Sequence, residues 1–306
     1  MRRIAATLAG LLAVAACSSP ATVQSAPSGP SPSRQPSSTA TTRATASPVA
    51  RPRPTPPRVT VTRMRTPDGS VMTVATFSGP LTYVLHDGSE DPGAAAGRVR
   101  AGPAVRGAER TRLLAAFNGG FKLSQGVGGY KQEGHVASPL RRGLTSLVID
   151  RSGRARIGIW GHGVPASGEA VYSVRQNLPP LVLHGKPTKA AADWSLWGST
   201  LGGGAYVARS ALGQDAAGHL VYAASMSATP ADLASVLAYA GAQIAMELDI
   251  NPEWPTLITY RHRHALLPTK VVPNYQQPAS RYLVPDDRDF FAIYRRMPGP
   301  INVPLK

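Results

Sequence analysis

Gly241-Ala242-Gln243-Ile244-Ala245-Met246-Glu247-Leu248-Asp249-Ile250-Asn251-Pro252-Glu253-Trp254 carries the most information about how this chain folds. Ile244, Met246, Leu248 and Ile250 alternate with Ala245, Glu247, Asp249 and Asn251. A strand sends successive side chains to opposite faces, so one face reads as core and the other as acidic and amide. Glu247 and Asp249 then lie on the same face with Cα atoms roughly 7 Å apart, close enough for paired acid and base work. A solvated polar face is the plainer expectation for a lone Glu-x-Asp.

Working outward, Pro230 to Ala240 reads as a helix. Thr229 suits the N-cap, Pro230 the first helical position, Asp232 the positive end and Gly241 the stop. Leu233, Val236, Leu237 and Ala240 supply an apolar stripe. Elsewhere the pattern is strand, turn, strand. Val59–Arg65 and Val71–Phe77 flank Thr66-Pro67-Asp68-Gly69-Ser70, Leu144–Asp150 and Arg154–Trp160 flank Arg151-Ser152-Gly153, and Ala205–Leu212 and His219–Ser225 flank Asp215-Ala216-Ala217-Gly218. Leu81–His86 and Leu113–Phe117 add further strands. The expected class is α+β, with strand-rich mixed sheets and few helices in a single compact domain over 59–306.

The region before that domain is of another kind. Arg2 and Arg3 precede an apolar run, Ile4 to Ala16, that is too short to span a membrane. Val14-Ala15-Ala16 then leads into Cys17, which resembles a bacterial lipoprotein signal, so residues 1–16 are expected to be removed and Cys17 lipidated. Residues 17–58 read as a Pro/Ser/Thr-rich tether, since the stretch 18–57 has no Asp, Glu, Trp, Phe or Tyr. The expectation is an exported protein anchored by lipid to the outer face of the cell membrane.

Cys17 is the only cysteine, so the domain has neither disulfide nor cysteine nucleophile. Net charge is +16, but seven arginines and no acid fall in residues 1–58, leaving +9 on the rest. That excess fits anionic lipid, wall polymer or phosphorylated glycan. No zinc-finger, basic-zipper or RNA-binding pattern supports nucleic acid. His262-Arg263-His264 offers two ligands on a strand without a third, so no metal or cofactor is expected, while a metal requirement stays open. No serine-hydrolase elbow or zinc-protease motif is present.

Two other stretches carry chemistry. Leu113–Phe117 runs into Asn118-Gly119-Gly120-Phe121-Lys122, where the glycines permit a sharp turn and offer bare amides to a ligand. Arg209 shares a strand face with Ala205, Val207 and Ala211, where a guanidinium needs an anion, either a protein carboxylate or a bound phosphate. Arg175 and Asn177, at the approach to the apolar Pro180–Leu183, are reserve site candidates.

These pieces together resemble the phosphodiester glycosidase domain family over about residues 112–260. Ala115-Ala116-Phe117-Asn118-Gly119-Gly120-Phe121, Arg209-Ser210-Ala211-Leu212-Gly213 and the Leu233 to Asp249 helix and strand are similar to its three signatures, in its order. Most members follow the shared Leu-Asp with Gly-Gly-Gly-Ser. Here Ile250-Asn251-Pro252-Glu253-Trp254 replaces it, and Glu247 stands where Asn is usual.

The resemblance implies hydrolysis of a sugar-1-phosphodiester in a glycan, wall polymer or lipid-linked sugar, with Asn118, Arg209 and Asp249 as matched site positions. Under it Arg209, helped by Lys122, binds phosphate. Asp249 or Glu247 does acid, base or nucleophile work, and Asn118 orients a hydroxyl or phosphate oxygen. Gly119, Gly120, Asn251 and Trp254 are further candidate substrate contacts, read from the residues themselves. The lost glycine loop motivates an alternative, a catalytically inactive tethered lipoprotein that binds glycan or acts as a scaffold.

Overall fold

A computed structural model describes residues 56–296, except 67 and 98. The leader, Cys17 and the tether up to residue 55 lie outside the described residues. The first strand begins at Arg58.

Three sheets make up the domain. The largest runs in the order Arg58–Arg65, Val71–Ser78, Leu220–Ala228, Val207–Asp215, Ala242–Ile250, Val182–Leu183, Lys186–Pro187. A six-stranded sheet is ordered His135–Ser138, Tyr130–Gln132, Val171–Gln176, Thr145–Asp150, Ala155–Trp160, Gly163–Val164. A five-stranded sheet is ordered Leu266–Lys270, Leu257–His262, Leu113–Asn118, Phe290–Arg295, Leu81–His86. Every strand pairing is antiparallel except that of Ala155–Trp160 with Gly163–Val164. The three hairpins expected from turn residues form within two or three residues of their expected ends.

The α+β expectation needs correction toward mostly β. One α-helix, Pro230–Tyr239, is present among the described residues, and the remaining helical pieces are short 3-10 turns. Only that segment couples an apolar stripe to both end signals. Thr229 Oγ1 accepts from Asp232 N at 3.2 Å and Asp232 Oδ2 accepts from Thr229 N at 2.8 Å, a reciprocal cap worth about 1 kcal/mol. Gly241 ends the helix at φ 92°, a conformation that favours glycine. Leu233, Val236 and Leu237 are buried against Val221, Ala223, Ala211 and Ala245, on the outer face of the largest sheet.

The central core gathers Phe77, Tyr83, Phe117, Leu147, Leu212, Tyr222, Met246, Leu248 and Phe291, drawn from all three sheets. The strand Ala242–Ile250 is therefore covered on both sides. From Ala245 to Ile250 every residue is buried, Glu247 and Asp249 included, so the expected core face exists but the acidic face is sealed by protein rather than solvated. Only a strand between the central core and the helix layer can bury both faces in this way.

A bulge interrupts that strand. Arg209 pairs with Ile250 but Ala211 pairs with Glu247, so three steps on one strand match two on the other. The extra residue breaks the alternation between Glu247 and Ile250, and bulges of this kind re-aim side chains. Asp249 N turns instead to Gly119 O, at 3.0 Å, which joins the largest sheet to the five-stranded one.

Candidate active site

Asn118 ends the strand Leu113–Asn118 and brackets the two sheets. Its Nδ2 donates to Ser210 Oγ at 2.9 Å, and its Oδ1 accepts from Tyr222 Oη at 2.9 Å and from Thr256 N at 3.0 Å. It is 2% exposed, with its amide engaged by protein. Gly119 and Gly120 are there for closeness. A Cβ on Gly119 would lie 2.0 Å from Asp289 Oδ2, and one on Gly120 would lie 2.9 Å from the Arg175 guanidinium carbon. Gly119 N donates to Asp289 O at 3.0 Å.

Arg209 finds its anion in the protein. Its Nη1 lies 2.8 Å from Glu247 Oε1 and 2.9 Å from Trp197 O, and its Nε donates to Ala228 O at 3.2 Å. Both side chains are 0% exposed. Of the alternatives left open by the sequence, the carboxylate is the one realised. Burial pushes Glu247 above the usual carboxylate range, against the pull of Arg209. Neither residue reaches the cleft described below, so the structure separates Arg209 and Glu247 from Asp249.

Arg175 and Asn177 are internal ties as well. Arg175 donates from Nε to Asp289 Oδ2 at 2.9 Å and from Nη1 to Gln176 O at 3.0 Å, and also reaches Phe121 O. Asn177 Nδ2 donates to Glu247 O at 2.6 Å.

The remaining candidates converge. A small cleft of about 40 Å³ is lined by Lys122, Asp249, Asn251 and Trp254, together with Phe121, Gln125, Gly198, Ser199, Ile250 and Arg288. Asp249 is its carboxylate. Oδ2 lies 2.8 Å from Arg288 Nη2, and Oδ1 accepts from Ile250 N at 3.0 Å. Burial pushes Asp249 up to about 7, opposed by Arg288 and the Ile250 amide, reinforced by nearby Asp289 and eased by Arg175. Such a group holds a proton in part of the neutral range, as an acid or base in catalysis must.

Arg288 was not legible as a site residue. It donates to Gly120 O at 2.9 Å and lies 3.4 Å from Asp91 Oδ2, and its Nε is buried without a hydrogen-bond partner. Asp91 in turn accepts from Leu123 N at 3.1 Å, which ties the Lys122 segment to the same guanidinium. The available signal was the charged run Asp286-Asp287-Arg288-Asp289 leading straight into the apolar Phe290-Phe291.

Trp254 sits among cations. Arg288 Cζ is 4.6 Å from its ring centroid, Lys122 Nζ 5.7 Å and Arg281 Cζ 5.8 Å. The indole therefore steadies positive charge at the cleft wall. Asn251 shapes the loop that follows Asp249. It adopts φ 76°, a left-handed conformation that Asn tolerates better than most residues, and its side chain bonds Leu201 N at 2.9 Å and Ser199 O at 3.1 Å.

Among solved structures, the zebrafish N-acetylglucosamine-1-phosphodiester alpha-N-acetylglucosaminidase catalytic domain, auto-inhibited by its pro-peptide, aligns at 14% identity with a TM-score of 0.48, covering 79% of this chain and 83% of that one. A hypothetical protein from Synechocystis aligns at 12% identity and 0.44, covering 79% of this chain and 62% of that one. No curated protein matches the chain. The phosphodiester glycosidase family model matches residues 111–249, ending at Asp249. Residues 111–249 thus match the model of the family that the three motifs resemble.

Proposed function

We propose that this protein is a cell-envelope hydrolase that cleaves a sugar-1-phosphodiester bond in a glycan, wall polymer or lipid-linked sugar, held at the membrane by lipid on Cys17. The family match over 111–249 supports the reaction class. The observation that carries the residue assignment is the pairing of Asp249 with Arg288 at the wall of a cleft that Lys122 also lines.

In this reading the phosphate lies toward Arg288 and Lys122, which offset its charge. Protonated Asp249 faces the bridging oxygen. The C1–O bond breaks, the bridging oxygen leaves on the phosphate with the proton of Asp249, water adds its oxygen to C1, and the proton lost by that water returns to the carboxylate. Asn251 and Trp254 shape the cleft mouth. Arg209, Glu247, Asn118, Arg175 and Asn177 hold the frame behind it.

The test is release of free sugar from a sugar-1-phosphodiester by the purified protein. With Asp249 as the acid, turnover declines as pH rises above about 7, the position to which burial pushes that carboxyl. Substrate binding with no sugar release above the uncatalysed rate would overturn the proposal in favour of a tethered glycan-binding lipoprotein.

A further inference from the structure

Arg288 and Asp249 close on each other across the cleft wall, with side chains 4% and 10% exposed. The guanidinium faces two carboxylates and one carbonyl, yet not every N–H is bonded. One nitrogen, Nη2, serves both Asp249 and Gly120 O, while Nε has no hydrogen-bond partner and Asp91 stands 3.4 Å from it. A planar guanidinium offers five N–H donors in a fork that matches a tetrahedral oxyanion. The Trp254 ring centroid lies 4.6 Å from Arg288 Cζ, and Lys122 brings a second positive charge to the same ring.

We propose that the cleft binds phosphate-type oxyanions at Arg288 by exchange with Asp249, the carboxylate taking one proton from solvent as the oxyanion takes its place beside the guanidinium. This rests on the reading of the cleft as a sugar-phosphodiester site, yet it is measurable without turnover. An oxyanion and an ionised Asp249 cannot share one guanidinium in a buried wall without like-charge repulsion. The carboxyl is the partner that can yield, because protonation makes it neutral, and release of the oxyanion returns the proton to solvent.

The charges facing Asp249 come from every side. They are Arg288 and Asp289 from the segment before Phe290–Arg295, Arg175 from the six-stranded sheet, Glu247 on its own strand and Lys122 across the cleft. Loss of the Arg288 contact removes the strongest force that favours the ionised form, so exchange drives protonation further. Two other carboxyls compete for the proton: Asp91, 3.4 Å from the same guanidinium and also raised by burial, and Asp87, pushed up to about 7 by burial, which bonds Tyr130 outside the cleft lining.

Sulfate is the probe, because it stays dianionic through neutral pH whereas phosphate does not. Calorimetric titration of the full-length protein is expected to give a sulfate Kd that rises about tenfold per pH unit above about pH 7, the slope for one linked proton. Asp249→Asn, a neutral isostere, is expected to bind sulfate with a Kd flat over the same range, and Lys122→Ala to weaken binding equally at every pH. A pH-independent wild-type Kd overturns the proposal. So does a slope that survives in Asp249→Asn, and its loss in Asp91→Asn or in Asp87→Asn would then assign the proton to that carboxyl. Sugar release with pH-flat sulfate binding sinks the exchange alone, whereas proton-linked sulfate binding without sugar release sinks the hydrolytic reading alone.

Discussion

One strand supplies two carboxylates to two arginines, and the two ion pairs have equal length and unlike surroundings. Glu247 meets Arg209 at 2.8 Å with both side chains wholly buried, and Asp249 meets Arg288 at 2.8 Å at the edge of a cleft. The first is enclosed by protein, with Trp197 O and Ala228 O as further acceptors, and it lies outside the cleft lining. The second has a face from which a ligand can compete. Two residues of separation along a bulged strand convert a structural tie into a candidate reaction centre. Bond length alone says nothing about which is which.

The sharpest way to break that contrast is to dissolve each pair. Arg209→Met keeps the volume but leaves Glu247 and two carbonyls buried without their donor, and is expected to cost about 3–5 kcal/mol in urea unfolding. Asp249→Asn is expected to lower sugar release by about 10²–10⁴-fold, the usual share of a general acid, while the unfolding midpoint moves far less than in Arg209→Met. Equal destabilisation by the two substitutions would erase the distinction.

A finer test addresses the joint between the sheets. Gly119→Ala forces a methyl against Asp289 and its backbone, and is expected to cost about 1–3 kcal/mol by thermal or urea unfolding. The smallest effect belongs to the replaced loop. Asn251→Ala is expected to lose about 1–2 kcal/mol, because its left-handed backbone disfavours a Cβ, while Asn251→Gly recovers most of the loss. Equal stability of the Ala and Gly variants would show that the side-chain bonds of Asn251, not its backbone, hold the loop.

Much of the sheet content was readable, because period-two apolar patterning and Gly-containing turns are local properties. The helix was readable for the same reason, with Thr229, Pro230 and Gly241 marking its ends. Of the site, Asp249, Lys122, Asn251 and Trp254 were legible and do share a cleft. The roles of Arg209 and Glu247 were not, since alternation places Glu247 beside Asp249 and gives no sign of the bulge that parts them. Arg288 was missed because its partner lies 39 positions earlier, and only tertiary pairing brings them together.

The strand Phe290–Arg295 is the last of the described strands in chain order, yet it occupies an inner position, between Leu113–Asn118 and Leu81–His86. A ribosome must therefore pass residue 295 before the five-stranded sheet can close, and the same late segment delivers Arg288 to the cleft. A polypeptide that stops short of Arg288 lacks a keystone strand and the guanidinium together, so the candidate site cannot be completed.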